Sequence, residues 1–259
     1  MKGIILAGGL GTRLYPMTKI ISKHLLPVYD QPMIFYPLSV LIRAGIREIL
    51  LITMPEEQEH FQKLLGNGTD FGIHLHYAVQ SVPNGIAGAL LIGEDFIGDD
   101  LCTVILGDNF FDGDFLTFSL QKAFSDAENG FASIFLFPVT EPSQFGVAET
   151  DENGNILSLE EKPLSPKSNL AVTGLYCYPK GIFEKIRQLT PSGRGELEIT
   201  ALNELYRQQK KLKAYPMEKN SIWMDMGTPE NLFRAASFVR EKVQKGLHIG
   251  LSEERMKKQ

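Results

Sequence analysis

Apolar runs of strand length alternate with longer segments of helical periodicity over the first 140 residues of the chain. The runs predict strands over residues 3–6, 48–53, 75–79, 101–106 and 132–137. A continuously apolar segment predicts a buried helix over 33–44, and an amphipathic segment predicts a second helix over 56–65. Near-continuous hydrophobic strands joined by helical crossovers favour an α/β fold, with a mainly parallel sheet flanked by helices on both faces.

The pattern changes after residue 140. Two short strands around an Asp-Glu-Asn-Gly turn predict a hairpin insertion over 147–163. A strand over 171–178, helices over 181–189 and 197–209, a strand near 212–216 and a helix over 229–244 follow. No linker interrupts the chain, so we expect a single domain over 1–259. Its parts are a core over about 1–140, a second part over about 141–228, and a C-terminal helix and tail over 229–259.

The composition is that of an ordinary globular protein and restricts the possible partners. Of the 259 residues, 43% are hydrophobic and 22% are charged, which is typical of soluble domains. The net charge of −5 argues against an extended nucleic-acid surface, so a phosphate ligand would need a local basic pocket. The apolar run at 4–7 is too short for an export signal, and no stretch approaches the roughly 20 apolar residues of a membrane helix. We therefore expect a cytoplasmic protein without a membrane or nucleic-acid partner.

A glycine-rich segment follows the first predicted strand directly. Gly8, Gly9 and Gly11 place bare backbone N–H groups at the carboxyl end of a parallel strand, where α/β folds bind ligands. The segment is not a Walker sequence, because no Gly-Lys-Ser/Thr follows, and Leu14 stands where a dinucleotide fingerprint requires glycine. Taken alone, the segment is equally compatible with a phosphate loop and with a tight structural turn.

The residues after the glycines make the pattern specific. Residues 8–28, GGLGTRLYPMTKIISKHLLPV, satisfy every fixed position of G-G-x-G-T-R-L-x-P-x-T-x(4)-K-x-L-L-P-V. The chain thereby resembles the sugar nucleotidyltransferases, and most closely the glucose-1-phosphate thymidylyltransferase family, which has a Rossmann-like fold. The resemblance implies that Arg13 and Lys23 neutralise the nucleotide triphosphate and orient its pyrophosphate. It implies these nucleotide-binding residues: Leu6, Gly8, Gly9, Gly11, Thr12, Arg13, Lys23, Gln80, Pro83, Gly85 and Asp108.

Two aspartates stand in similar contexts 117 residues apart. Asp108 follows an apolar strand in L-G-D-N, and Asp225 lies in W-M-D-M-G-T. Taken alone, each aspartate is also compatible with a role as a helix cap or a turn residue. The matches to G-D-N and W-x-D-x-G-T imply that both hold Mg²⁺, which proteins usually bind through one or two carboxylates plus substrate phosphates.

A charged motif closes the predicted hairpin. Residues 160–163, E-E-K-P, would otherwise indicate a solvated surface cluster, but they match the family motif in full. The resemblance implies that Lys162 holds the phosphate of the sugar substrate and that Glu161 contacts sugar hydroxyls. The sugar-phosphate set that it implies is Asn109, Gly146, Glu161, Lys162, Val172, Thr173, Gly174 and Trp223. The catalytic set is Arg13, Lys23, Asp108, Lys162 and Asp225.

The segment after residue 79 bears on the choice of base. Q-S-V-P-N-G-I-A resembles the Q-x-x-P-x-G-x-A segment with which thymidylyltransferases and UTP-using relatives read a pyrimidine. The amide of Gln80 offers both a donor and an acceptor to a base edge. A plain strand-to-helix turn with a glycine fits the same residues, and dTTP is favoured over UTP.

Four positions depart from the family pattern and leave the sugar open. Phe145 replaces a common tyrosine, Ala201 replaces a common aspartate, and Asn84 and Gly88 stand in place of frequent Asp and Gln. Longer family members continue with further C-terminal helices, so a second nucleotide site is also left open.

The resemblance thus predicts transfer of a thymidylyl group from dTTP to glucose-1-phosphate with Mg²⁺, by a homo-oligomer that is a dimer or a tetramer. The alternatives are a UTP-using or other-hexose enzyme of the same fold, and a non-catalytic nucleotide sensor. A dehydrogenase is disfavoured, because Leu14 breaks its fingerprint and Thr53 stands near the position of the ribose-binding acid.

Overall fold

The computed structural model describes residues 1–113, 115–217 and 220–251, and these fall into two compact units. The first unit comprises Lys2–Ser81, Ile105–Leu116 and Asn220–Gln259. The second unit comprises Met1, Val82–Val104 and Thr117–Lys219. The predicted tail at 252–259 lies outside the described residues, and the predicted division of the chain at about 140 and 228 stays a prediction.

The secondary structure follows the predicted alternation of strands and helices. The strands are β1 (Lys2–Ala7), β2 (Pro27–Val28), β3 (Gln31–Pro32), β4 (Glu48–Thr53), β5 (His74–Val79), β6 (Cys102–Leu106), β7 (Asn109–Asp112), β8 (Ala132–Pro138), β9 (Gly146–Thr150), β10 (Ile156–Glu161), β11 (Leu170–Tyr178), β12 (Leu212–Pro216) and β13 (Ile222–Asp225). The α-helices are α1 (Phe35–Arg43), α2 (Gln58–Leu65), α3 (Ile86–Leu91), α4 (Glu94–Ile97), α5 (Phe115–Glu128), α6 (Ile182–Ile186), α7 (Ile199–Gln208) and α8 (Pro229–Gln244). No helix of the described residues is long and apolar enough to cross a membrane.

The first unit contains a parallel arrangement of β1, β4 and β5. β4 lies between the other two, with Ala7 opposite Thr53 and Thr53 opposite Val79. The three strands therefore end together, and the segments that follow β1 and β5 leave the same edge. On β5, His74 and His76 both lie on the exposed face. This edge carries the glycine-rich segment and Gln80.

A two-stranded antiparallel ribbon, β7 with β13, forms the other notable part of the first unit. Asp225 pairs with Asn109, and Trp223 pairs with Phe111. Phe110 of β7 is fully buried and packs against Tyr36, with ring centroids 5.1 Å apart, and against Phe238 at 5.8 Å. The hydrophobic pattern did not predict this ribbon, because four-residue strands are too short to display a period.

The second unit is built on mixed strand pairing. β11 pairs antiparallel with β8, and β12 pairs parallel with β8. The predicted hairpin is present as the antiparallel pair β9 and β10, with Gly146 opposite Glu161. This register carries Glu161 to the end of the hairpin, next to the first residue of β9.

Helix bounds were predicted well where the chain supplies its own caps. Helix α8 spans the predicted residues 229–244: Pro229 occupies its first turn, and the side chain of Thr228 accepts a hydrogen bond from the Asn231 N–H at 3.3 Å. Helix α7 begins at Ile199 and not at the predicted residue 197. The backbone groups of Leu197 form hydrogen bonds to residues 84 and 87, so they are not available to a helical turn.

Packing around Phe110 sets much of the stability of the first unit. We expect Phe110→Ala to lower the free energy of unfolding by about 3–5 kcal/mol, because a buried aromatic ring is replaced by a cavity. The control is Phe233→Ala, which removes a ring that is 70% exposed and should change stability by less than about 0.5 kcal/mol. Urea denaturation measures both changes, and equal losses would contradict the assigned packing.

Candidate active site

The glycine-rich segment forms a tight turn at the end of β1. Gly11 has φ of 63°, a conformation that a residue with a side chain rarely adopts. The hydroxyl of Thr18 donates to the Gly11 carbonyl at 2.8 Å, and the Leu14 N–H donates to the same oxygen at 2.9 Å. The turn leaves Gly9, Thr12 and Arg13 exposed, while Leu6 of β1 is buried.

Two functional side chains lie directly against these glycines. A Cβ at Gly9 would be 3.3 Å from Lys23 Nζ, and a Cβ at Gly8 would be 2.8 Å from Gln80 Oε1. The loop thus presents backbone without side chains where the Lys23 ammonium and the Gln80 amide approach it. Bare backbone N–H groups beside a fixed cation are the ingredients of an anion-binding concavity.

Each of the two predicted metal-binding aspartates is paired with one cation in the first unit. Lys23 Nζ donates to Asp108 Oδ2, and Arg13 Nη2 donates to Asp225 Oδ2 at 3.1 Å. The second oxygen of each carboxylate is also held. Asp108 Oδ1 accepts from Asn109 Nδ2 at 3.0 Å, and Asp225 Oδ1 accepts from the Gly227 N–H at 2.9 Å.

The β7–β13 ribbon brings these two carboxylates together. Asn109, which follows Asp108, is paired in register with Asp225, and the Met226 N–H donates to the Asp108 carbonyl at 2.9 Å. Trp223 Nε1 donates to Asn109 Oδ1 at 2.6 Å and fixes the amide that contacts Asp108. Residues 117 positions apart in the chain thereby occupy adjacent places.

The electrostatics of the pair suit a divalent cation. Burial raises the pKa of Asp225, and the charge of Asp108 raises it further, against the opposing effects of Arg13 and the Gly227 N–H. Burial also opposes ionisation of Asp108, but the charge of Lys23 and the hydrogen bonds from Lys23 and Asn109 outweigh burial, so the pKa of Asp108 is lowered. The two carboxylates therefore repel one another, and a cation between them would relieve this repulsion.

The two neighbouring carboxylates are the kind of oxygen donors that could hold Mg²⁺. No group of three or more His, Cys, Asp or Glu side chains among the described residues is arranged to hold a metal. Two hard carboxylates are sufficient for Mg²⁺ when substrate phosphates supply other ligands.

The second unit brings three other predicted sugar-phosphate residues, Gly146, Lys162 and Val172, close to Glu161. The hydroxyl of Thr200 donates to Glu161 Oε2 at 2.5 Å, and Arg194 Nη2 lies 3.4 Å from Oε1. A Cβ at Gly146 would be 3.5 Å from Glu161 Oε2 and 3.8 Å from the Cβ of Val172. Gly146 thus lies directly against Glu161, and a side chain there would crowd the Glu161 carboxylate and Thr200 Oγ1.

Lys162 has an unusual backbone conformation next to Glu161. Its φ is 44°, its N–H donates to the Phe145 carbonyl at 3.0 Å, and its Nζ lies 4.0 Å from Glu161 Oε1. The side chain is about half exposed, at 49%, and is available to an anionic ligand. Strained backbone conformations cluster at functional sites, so the conformation of Lys162 is consistent with a functional role.

Other predicted residues are placed differently. Thr173 is fully buried with no hydrogen-bond partner for its hydroxyl among the described residues, and Gly174 is also buried. Trp223 and Asn109 belong to the first unit, where they hydrogen-bond to each other. Pro83 and Gly85 belong to the second unit, and Gly85 has φ of 93°.

Three residues that hold these groups were not predicted from the sequence. Arg194 and Thr200 contact Glu161, and they are the first and last residues of the segment R-G-E-L-E-I-T. The third is His24, which is 1% exposed, and Ser22 Oγ lies 3.0 Å from its Nδ1. Its ring lies under the turn before Asp108, since a Cβ at Gly107 would be 2.7 Å from His24 Cδ2.

His24 should make the stability of the protein depend on pH. Burial, with the charge of Lys23, lowers the pKa of His24 from 6.5 to about 3, although Asp108 opposes the shift. The unfolded chain binds this proton below pH 6.5 and the folded chain does not, so stability is lost as the pH falls from 6.5 towards 3.

We expect His24→Gln to flatten this decline in stability between pH 7 and pH 4.5 by up to about 1.4 kcal/mol per pH unit. Denaturant unfolding at each pH measures the slope. The exposed His60→Gln variant is the control, and an unchanged slope in His24→Gln would contradict the assignment.

Comparison with known proteins bears on both units. The nucleotidyl transferase family model matches residues 2–242. The chain is 54% identical to a glucose-1-phosphate thymidylyltransferase of Neisseria gonorrhoeae over 98% of this chain and 88% of that protein. It is 48% identical to the enzyme of the same name from Mycolicibacterium smegmatis, with the same coverage of 98% and 88%.

Solved structures give the same result. A crystal structure of a Bacillus anthracis protein assigned as a glucose-1-phosphate thymidylyltransferase, in complex with a sucrose, has a TM-score of 0.88 and 42% identity. The match covers 98% of this chain and 99% of that one. A UDP-glucose pyrophosphorylase complexed with UDP-glucose has a TM-score of 0.82 and 26% identity, over 93% and 98% of the two chains. The predicted α/β fold is therefore confirmed, and the chain belongs to the nucleotidyl transferase family, within which it is a member of the glucose-1-phosphate thymidylyltransferases.

Proposed function

We propose that the protein transfers a thymidylyl group from dTTP to glucose-1-phosphate and releases pyrophosphate. The observation that carries the proposal is the paired arrangement at the glycine-rich turn. Two carboxylates lie side by side, and each is held by one cation next to bare loop backbone. This arrangement combines a place for a divalent metal with positive charge for a triphosphate.

In the reaction, a phosphate oxygen of glucose-1-phosphate attacks the α-phosphorus of dTTP. The new P–O bond forms as the bond to the oxygen that bridges the α- and β-phosphates breaks, and that oxygen leaves with pyrophosphate. The attacking oxygen is already an anion, so no general base is required. Catalysis then rests on positioning and on stabilising the charge that develops.

The residues of the first unit act on the nucleotide. Lys23 Nζ lies next to Gly9, so its positive charge is available to a triphosphate that binds on the loop. The side chain of Arg13 is about half exposed, at 52%, so its guanidinium can contact the departing phosphates. Asp108 and Asp225 would hold Mg²⁺, which when bound neutralises phosphate charge and polarises the reacting phosphoryl group.

The residues of the second unit act on the acceptor. The exposed ammonium of Lys162 binds the phosphate of glucose-1-phosphate. Glu161 has its carboxylate fixed by Thr200 and Arg194, and it accepts hydrogen bonds from sugar hydroxyls. A fixed acceptor selects for hydroxyl orientation, because a sugar that presents no donor to it forms one hydrogen bond fewer.

Among nucleotides we propose dTTP, with UTP as the second candidate. Gln80 is largely buried and supplies the donor and the acceptor for a pyrimidine edge. The thymidylyltransferase relatives are 45–54% identical, whereas the UDP-glucose pyrophosphorylase is 26% identical. We further propose a cytoplasmic homo-oligomer, a dimer or a tetramer, on the resemblance to the family alone.

Pyrophosphate release tests the reaction directly. With purified protein, Mg²⁺ and glucose-1-phosphate, we expect release chiefly with dTTP in a panel that also contains UTP, CTP, ATP and GTP. EDTA should abolish the release. A UTP preference would support the second candidate, and silence with every nucleotide and several sugar phosphates would contradict the proposal.

Removing one charge that acts on the nucleotide and one that acts on the sugar phosphate tests the assigned roles. Asp225→Asn and Lys162→Ala should each lower kcat/KM by at least about 100-fold, because each removes a charge that acts on the transition state. Asp70→Asn and Lys180→Ala change exposed residues of the respective units and should keep wild-type rates. Circular dichroism establishes that each variant is folded. Near-normal turnover in either test variant would remove that residue from the mechanism.

A further inference from the structure

The segment that includes Gly85 is joined to the loop before α7 by a pair of backbone hydrogen bonds. The Leu197 N–H donates to the Asn84 carbonyl at 2.8 Å, and the Ala87 N–H donates to the Leu197 carbonyl at 3.1 Å. Both backbone groups of one residue are thus used to hold the start of helix α3. Because α7 begins two residues later, Leu197 lies between two segments to which the proposed function gives different ligands.

The fit between these segments leaves no room for a side chain. A Cβ at Gly85 would be 2.5 Å from the Leu197 oxygen and 2.9 Å from its nitrogen, and φ at Gly85 is 93°. The carboxamide of Asn84 fills the space that a Cβ at Gly88 would occupy. A shift of Leu197 must therefore move residues 84–87 with it, since close-packed backbone cannot slide without breaking contacts.

The other end of the loop is tied to the sugar-phosphate residues. Ser192 Oγ donates to Glu198 Oε1 at 2.7 Å, and Arg194 Nη2 donates to the same oxygen at 2.9 Å. Arg194 also contacts Glu161, as described above. An unbroken series of short contacts thus runs from Gly85 through Leu197 and Glu198 to Glu161.

We propose that Leu197 is a positioning residue that couples residues 84–88, which include the predicted nucleotide-binding Gly85, to the sugar-phosphate cluster around Glu161. A pyrimidine nucleotide that contacts residues 84–88 holds them in place, and the two hydrogen bonds of Leu197 pass this restraint to the loop at 192–198. Arg194 of that loop is thereby held against Glu161, and the hexose phosphate binds more tightly. By linkage, the sugar phosphate strengthens nucleotide binding by the same factor. The inference rests on the proposed function and adds to it a means of selecting both substrates together.

Calorimetry on the wild-type protein measures the coupling. Glucose-1-phosphate is titrated with and without a saturating α,β-methylene analogue of dTTP, whose α–β bond cannot be cleaved. We expect the nucleotide to lower the Kd of glucose-1-phosphate by at least about fivefold, within the usual range for coupled sites. The reverse titration should show the same factor. If the protein binds both ligands but neither ligand changes the Kd of the other, this inference alone is overturned. If the protein fails to bind either ligand, the proposed function is overturned as well.

Two variants locate the coupling. Gly85→Ala places a Cβ against the backbone of Leu197, so glucose-1-phosphate should keep its nucleotide-free Kd even when the nucleotide analogue is saturating. Gly181→Ala is the matched control, because its φ is 79° and a Cβ there would have nothing within 4 Å. It also introduces a side chain at a positive φ, but without the contact to Leu197, and should retain the wild-type factor.

Ser192→Ala tests the same connection from the opposite end, and it also serves if Gly85→Ala does not fold. It removes the hydroxyl that holds Glu198 and touches none of residues 84–88. We expect the Kd of the nucleotide alone to stay unchanged and the coupling factor to fall. A wild-type factor in Ser192→Ala, or in folded Gly85→Ala at saturating nucleotide, overturns the role of Leu197.

Discussion

The pairing of Lys23 with Asp108 is the constraint on which the first unit depends. Asp108 is nearly buried, and a buried carboxylate without a partner costs several kcal/mol. The pairing joins residues 85 positions apart and places the lysine against the glycine-rich turn. The turn, the end of β6 and the cation are therefore fixed together. Removing the charge of either Lys23 or Asp108 would leave the charge of its partner in a poorly solvated place.

Beside this pair, a second carboxylate lies where its charge is disfavoured. Asp225 has its pKa raised by burial and by Asp108, although Arg13 contacts it. The β7–β13 ribbon and the Trp223–Asn109 hydrogen bond prevent the two carboxylates from moving apart. Such preorganisation costs stability in the free protein. It suits the proposed binding of a cation together with the substrate, because the site gains most when the positive charge arrives.

The second unit uses backbone contacts for a comparable purpose. Glu161 is oriented by Thr200 and Arg194, and Arg194 is oriented by Glu198 in the loop that contains Leu197. The close approach of Gly85 to Leu197 means that the loop and the start of α3 are one packed element. The predicted substrate-binding residues of several segments are thereby held to a common geometry.

The sequence by itself determined what depends on neighbouring residues in the chain. The apolar runs predicted β1, β4 and β11 nearly to the residue, and Thr228 with Pro229 determined where α8 begins. The motifs around Gly8, Asp108 and Lys162 predicted the chemistry of the site. Only the tertiary structure decided which cation holds which aspartate, that β7 pairs with β13, and that His24, Arg194 and Thr200 support the site. Those choices depend on burial and on charge between residues far apart in the chain, and a local pattern of side chains carries no record of either.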